Sequence, residues 1–393
     1  MGTLLSGAGT RGREARASDR EEAKGQYEMT KLFRAEAPSS SSSLPESSRP
    51  APLNQGGSAC ETLPQKLGRT LLFPEAASLA ALVALVIGFQ AGSSGLFLSA
   101  ANLSGTTTDI ALIGTIAIGV AMLMISGQFD LSVGVNAAFV AILVGKLIAV
   151  SQLNAVAAVL LGVAIAACVG LINGLVTVYL RVPSFITTLG MYFVLDGTNY
   201  IITNGYSVDI FGHQDRIISL LGGTVTSAVG APFAWMLGLG LVAGMVLQKT
   251  RYGNWVFASG SRNGSSARMV GVPVRRVYVT NFVVCGALAG FAGIMALAEY
   301  GSISLGFSSN YNLLAIVAAV LGGCSLFGGR GSIHGAIIGS MVLGILDTGL
   351  VIIGAPGTLY TVITGVVLVA ALLMNVRIEA VGRALVMRRR GER

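Results

Sequence analysis

TTDIALIGTIAIGVAMLMIS, residues 107–126, followed directly by GQFDLSVG, residues 127–134, decides the class of fold. The first string holds one acid and otherwise small or apolar side chains, over roughly the 20 residues that a helix needs to cross a bilayer. The second sets glycine, glutamine, aspartate and serine against its end, where a continuous helix gains nothing from them. The same alternation of apolar span and polar break recurs along the chain. Apolar spans are predicted near 75–98, 107–126, 132–150, 154–180, 183–203, 229–248, 276–298, 311–328, 333–353 and 358–376.

Composition agrees. Of 393 residues, 53% are hydrophobic and only 11% charged, where an ordinary soluble domain carries about 25% charged residues. The charges are also confined: 18 fall in residues 1–70, 8 in 377–393, and 18 in the 306 residues between. A middle segment so poor in charge suits lipid better than water. The chain is therefore read as all-α, a polytopic membrane protein of about ten transmembrane helices with glycine-rich broken helices. Residues 1–70, with mixed charges, the serine run Ser39 to Ser43 and five prolines, read as a disordered cytosolic extension. They are no signal peptide, since no apolar core precedes Leu71, and Met29 is an alternative start. Residues 71–376 form the transmembrane domain, with a cytoplasmic loop at 249–275, and 377–393 form a basic cytosolic tail.

Orientation follows from arginine placement. With the first span entering from inside, Arg181, Lys249, Arg251, Arg262, Arg268, Arg275, Arg276, Arg330 and the tail from Arg377 onward all fall on the cytoplasmic side, with both termini. Only Lys146 and Arg216 fall outside. The net charge of +8 thus orients the chain in a membrane and does not indicate a nucleic-acid partner. The outward loop 204–230 reads as a short surface helix or a plain connector. Cys60, Cys168, Cys285 and Cys324 read as unpaired.

Three stretches interrupt the hydropathy at membrane depth: Gly127 to Gly134, Val182 to Gly190, and Gly322 to Gly335. Such backbone survives in lipid only where protein or a wet cavity covers it, so the breaks point to a translocation pathway. The first and third share a setting, which either an internal duplication or chance similarity explains. Asp130, Asp196 and Asp347 are acids within the apolar region, and a buried acid is expensive enough to mark function. For Asp130 and Asp347 a capped helix end, or a hydrogen bond to a neighbouring helix, accounts for the residue as well as contact with cargo does. Asp196, Asn199, Thr203 and Asn204 form a polar stripe along one span. Gly162, Ala166, Gly170 and Gly174, four residues apart, suit close helix packing.

Nothing in the chain supplies energy. It lacks G-x-x-x-x-G-K-[ST], and His213 and His334 lack metal-ligand spacing, so no catalytic, cofactor or metal residue is assigned. The loop from Gln248 to Val274 is the long inward segment, and within it Ser261 to Val272 reads as a short helix closed by Gly271 and stopped by Pro273. It is a docking element or a solvated orientation loop.

Five motifs in order, Gly127 to Gly134, Asn173-Gly174-Leu175, Val182 to Gly190, Tyr252-Gly253-Asn254 with Asn263 to Gly271, and Val320 to Gly335, make the chain resemble the permease subunit of ribose- and xylose-type ABC sugar importers. The likeness runs from about Leu71 to Val376. It implies a bacterial inner-membrane subunit that moves a monosaccharide, a pentose such as xylose or ribose first, by alternating access. It also implies a separate ATPase subunit, an extracytoplasmic sugar-binding protein, a second permease chain forming a homodimer, and surrounding membrane lipid. In this resemblance Arg262, Asn263, Ser266, Ala267, Arg268 and Gly271 couple to the ATPase, with Ala267 seated in the partner's groove. Asp130, Asn173, Phe185, Thr188, Asp196, Asn199 and Asp347 line the pathway. The chain departs from the family pattern at Asn312, Asp196 and Ser265 or Ser266, and Ile202 to Gly205 and Leu346 to Gly349 lean to the xylose branch. A nucleoside, polyol or branched-chain amino-acid permease, and a self-sufficient secondary transporter, are the alternatives.

Overall fold

The computed structural model describes residues 74–212, 215–260, 264–307, 310–371 and 373. The predicted extension 1–70 and basic tail 377–393 lie outside the described residues. Among the described residues, ten helices are principal: α1 (Pro74–Gly92), α2 (Ala100–Ile125), α3 (Val133–Ala149), α4 (Ala155–Tyr179), α5 (Ser184–Thr203), α7 (Ala231–Lys249), α10 (Val274–Tyr300), α11 (Tyr311–Leu321), α12 (Ile333–Ile352) and α13 (Gly357–Ala371). The others are short: α6 (Arg216–Gly222), α8 (Arg251–Gly260) and α9 (Ser265–Met269). By length and composition five of them, α2, α4, α7, α10 and α12, suffice to cross a membrane.

The order of helices is set by which faces must be covered. Helix α2 is buried from Ile110 to Ile125 without interruption, as a helix apolar on all sides requires. It is the axis, with α7, α10, α11 and α12 packed around it. Helix α10 leans across α2, α3 and α4, whereas α5 touches only the α3 and α4 side of the molecule. The outer surface is apolar: Leu160, Ile172, Phe193, Ile201, Leu241, Val362 and Val366 stand exposed on α4, α5, α7 and α13, the distribution expected where lipid takes the place of water.

A close helix seam joins α4 to α10. Here the small residues of the α4 stripe meet Gly286 and Gly290: a Cβ built on Gly170 would lie 2.2 Å from the Phe282 carbonyl oxygen, and one on Gly286 would lie 2.5 Å from the Ala166 carbonyl oxygen. Asn136 of α3 reaches this seam and donates to the Gly286 carbonyl at 3.3 Å. Without a hydrophobic drive between helices in lipid, such close backbone approach and buried hydrogen bonds are what hold them.

The loop 204–230 carries α6 and two strands, β2 (Thr224–Thr226) and β3 (Val229–Gly230), so a short helix is present within a more structured segment than a plain connector. At its start β1 (Val208–Asp209) pairs antiparallel with β4 (Ser302–Ile303), tying the end of α5 to the end of α10. Lys146, at the end of α3, donates to the Ile202 carbonyl in the last turn of α5.

Replacing Gly170 by Val should strain the α4–α10 seam by roughly 1–3 kcal/mol or more. Gly190, with open space around it, should accept Ala within about 1 kcal/mol of the original stability. Thermal unfolding of the two purified variants in the same detergent checks this: the Gly170 variant unfolds several degrees earlier and the Gly190 variant does not.

Candidate functional site

Two of the three predicted breaks come together. Helix α2 stops at Ile125, and the chain turns through Gly127, at φ +81°. The Ile125 carbonyl, orphaned by the end of its helix, accepts the Gly329 amide of the break between α11 and α12 at 2.8 Å. Gly260, the last residue of α8, fills the gap between them: a Cβ there would stand 1.9 Å from the Ile125 carbonyl oxygen and 2.4 Å from the Gly329 nitrogen. Gly328 is equally confined, its Cβ position falling 2.9 Å from the Gly127 Cα. Three segments distant in sequence therefore meet backbone to backbone. Asn281 of α10 locks the arrangement by donating to the Met122 carbonyl at 3.2 Å and accepting from the Tyr252 hydroxyl of α8 at 2.6 Å. The segment Val182–Gly190 is different: it is a corner at Arg181, φ +59°, with Pro183 at its N-cap, and the helix runs unbroken from Ser184.

The first break is held by polar side chains from α4 and α5. Asp130 is 2% exposed. Its Oδ1 accepts from the backbone nitrogen and the hydroxyl of Ser132 at 2.8 and 2.6 Å, and its Oδ2 accepts from Asn173 Nδ2 at 3.3 Å. Asn173 donates also to Ser132 Oγ at 2.9 Å. The amides of Phe129 and Leu131 are taken by Ser184 Oγ at 3.2 Å and Thr188 Oγ1 at 3.1 Å. Asp130, Asn173 and Thr188 thus converge: the Asp130 carboxylate holds the turn before α3 and accepts from Asn173 of the neighbouring α4, while α3 itself starts without a side-chain cap. Such a buried network is costly where a member goes unsatisfied; here the hydroxyls and the Asn173 amide nitrogen are paired, while Asn173 Oδ1 is buried without a partner in the protein.

The remaining pathway candidates are dispersed. Phe185 is exposed on the outside of α5, while Asp196 is half-buried further along it. Asn199 is buried with its Oδ1 lacking a hydrogen-bond partner. Asp347 lies 14 residues into α12, about 20 Å along that helix from the third break. It neighbours Asp109, Tyr311 and Tyr360, and Asp109 accepts from the Tyr300 hydroxyl at 3.0 Å. The sequence reading passed over Asp109, Asn136 and Asn281, although each is a lone polar residue in an apolar run, the signal that selected Asp130 and Asp347.

In the coupling segment, Arg262 and Asn263 lie outside the described residues. The helix predicted over Ser261 to Gly271 is the single-turn α9, Ser265–Met269; Gly271 follows at φ +82° and Pro273 precedes α10, both as expected. Ala267 requires correction. Its methyl is 4% exposed and packs against Val274 and Tyr278 of its own chain, because a helix this short must bury its one small residue to stay on the protein. The surface it offers a partner consists of Met269, 90% exposed, Val270, 79% exposed, and the exposed Ser266 and Arg268.

Comparison with known proteins agrees with this architecture. The family described as "Branched-chain amino acid transport system / permease component" matches residues 102–372. The chain belongs to this family. It is 35% identical over 286 residues, 71% of its length and 78% of the relative's, to the xylose/arabinose import permease protein of Sulfolobus acidocaldarius. It is 31% identical to the ribose import permease protein of Escherichia coli, over 71% of this chain and 87% of that one. It is 33% identical to the L-arabinose ABC transporter permease protein of Azospirillum brasilense, over 71% and 81%. No solved structure matches the chain. The protein is a multi-pass membrane transport component and not an enzyme.

Exchange of Asp130 for Leu should remove three hydrogen bonds from the first break and leave Asn173 underused, at a cost of about 1–3 kcal/mol. Asp196→Leu, on a half-buried position, should cost far less. Unfolding midpoints of the two variants rank them: the Asp130 variant below wild type, the Asp196 variant level with it.

Proposed function

We propose that this chain is the membrane permease of an ATP-binding-cassette importer that carries a monosaccharide inward by alternating access. The observation that carries the reading is the match to sugar import permeases along 71% of the chain. Those relatives support a monosaccharide, with pentoses first, over a nucleoside, a polyol or a branched-chain amino acid. An ATPase subunit supplies the energy, and an extracytoplasmic binding protein delivers the cargo to the outer face. A partner-driven cycle needs no nucleotide site here and fits a sequence without a phosphate-binding loop. It accounts better for the exposed tip of α9 than a self-sufficient transporter does, since such a transporter has no use for apolar side chains in the cytosol.

All ten principal helices cross the bacterial inner membrane, with both termini and the 249–275 loop in the cytosol. Helix α5, at 20 residues, is long enough to reach across, and the shorter apolar segments of α1, α3, α11 and α13 do so because loops and breaks continue them. Two copies of the chain face each other and are surrounded by lipid. The pathway runs along α5, whose Thr188, Asp196 and Asn199 bring polar groups to membrane depth. Asn173 and Asp130 support it from behind, Phe185 stands at its inner mouth and Asp347 at its outer end. On the cytosolic side Met269 and Val270 insert into the ATPase. Arg262, Asn263, Ser266 and Arg268 surround that contact, and Ala267 and Gly271 shape the turn.

Proteoliposomes holding the permease with its ATPase, and supplied with binding protein, should take up labelled xylose or ribose in the presence of ATP and not labelled leucine; uptake of leucine alone would overturn the sugar reading. Single cysteines at Ser265 and Ser219 should react with impermeant maleimide from opposite sides of the membrane, and labelling of both from outside would refute the topology. Met269→Glu should leave insertion intact and lower stimulated ATP hydrolysis at least tenfold, because a buried uncompensated carboxylate costs several kcal/mol. Unchanged stimulation would remove α9 from the coupling contact.

A further inference from the structure

Beside the coupling helix lies a cavity of about 540 Å³ whose charged lining is of one sign. Arg181 enters it from the corner between α4 and α5, Arg268 from α9, and Arg275 from the first turn of α10. These residues are far apart in sequence, so only the fold brings them together. Among the described lining residues there is no carboxylate to pair with any of them. A guanidinium cannot shed its proton, so the three repel one another, and an anion among them relieves that repulsion. Gln128, from the first break, Thr177, Ser184 and Tyr278 complete the polar lining. The Thr177 hydroxyl oxygen is buried and has no hydrogen-bond partner in the protein, so the wall retains an unspent polar group.

What surrounds the cavity decides which anion. Tyr179 and Leu180, at the end of α4, and Phe185 and Ile186, in the first turn of α5, stand exposed on either side of Arg181 along the chain. A soluble anion has no use for such a wall. A phospholipid uses both parts, placing its phosphate among the guanidiniums and its acyl chains along the apolar side chains, the arrangement by which basic pockets between helices hold acidic head groups.

The geometry points to a site for the phosphate of an anionic phospholipid, formed by Arg181, Arg268 and Arg275 at the cytosolic edge of the membrane. This rests on the orientation proposed above, and it deepens the general expectation of surrounding lipid by giving one lipid a place. The bound head group joins the α4–α5 corner to α9 and α10, and so braces the coupling helix against the body of the permease. Arg268, which also borders the ATPase contact, makes the lipid part of that surface.

The test uses the full-length permease alone, purified in detergent, so that its result does not depend on cargo, binding protein or ATPase. Phosphatidylglycerol carrying a fluorescent acyl chain is titrated onto wild type, the double variant Arg181→Gln with Arg275→Gln, and Arg251→Gln as a basic-residue control outside the cavity. Unfolding midpoints confirm that all three are folded, and Arg181→Lys with Arg275→Lys replaces the glutamine pair if that pair is not. The expected result is saturable binding to wild type and to the control. The glutamine pair should bind about thirtyfold more weakly, the change given by about 1 kcal/mol per basic residue; the lysine pair, which keeps charge without the planar fork, should bind more weakly than wild type by a smaller factor. Glycerophosphate and inorganic phosphate, offered at millimolar concentration as the soluble source of the same chemistry, should not displace the lipid. Equal binding by wild type and the cavity variant overturns the proposal. So does phosphatidylcholine binding as tightly as phosphatidylglycerol, or displacement by the soluble phosphates, which would make the cavity a free-anion site.

Discussion

A helix that ends at membrane depth leaves backbone carbonyls that water cannot reach, and each has to find a donor within the protein. In this chain the decisive pairing is the Gly329 amide with the Ile125 carbonyl, made possible by the absence of a side chain on Gly260 and Gly328 and by the positive φ of Gly127. Because α2 is the buried axis of the molecule, the place where it stops controls where α3 begins and how α11 hands over to α12. The contact also brings in α8, and through α8 the segment that carries α9. Two helix breaks and the approach to α9 are therefore a single mechanical unit.

The polar residues around this unit divide into those that are spent and those that remain. Asp130, Ser132, Asn173, Ser184 and Thr188 satisfy the backbone of the first break, and Tyr252 and Asn281 tie α8 and α10 to the end of α2. For Tyr252, burial pushes the phenol up to about 12, so it stays neutral and donates throughout the physiological range. Asn199, buried on the peripheral α5, keeps an unpartnered carbonyl oxygen, as does Asn173 at the first break, and Asp109, Tyr311, Asp347 and Tyr360 gather at the other end of α2 and α12. Under the proposed function, such unspent groups on α5 are the ones available to a substrate.

Helix positions were legible because a run of apolar residues near bilayer length has few other readings. The segment 107–126 and the helix α2 agree to within a turn at its end, although α2 starts seven residues earlier, at Ala100, where Ser99 caps it. The four-residue stripe on α4 also did as its spacing suggests. Contacts between breaks were not legible: nothing in Gly127 or Gly328 names the other, or Gly260, as its neighbour. Facing was misjudged for Ala267, since in a five-residue helix periodicity does not define an inner side. The corner at Arg181 was read as a broken span because proline and serine look alike whether they interrupt a helix or begin one.

Hydrogen exchange on the full chain in lipid nanodiscs, followed by mass spectrometry of peptides covering 123–132 and 322–335, tests most directly whether the two breaks are one unit. The account predicts that both peptides exchange slowly at rest, and that addition of the ATPase with ATP speeds both together. Fast exchange of the 322–335 peptide at rest, at the rate of an open glycine loop, while the 123–132 peptide stays protected, would contradict it.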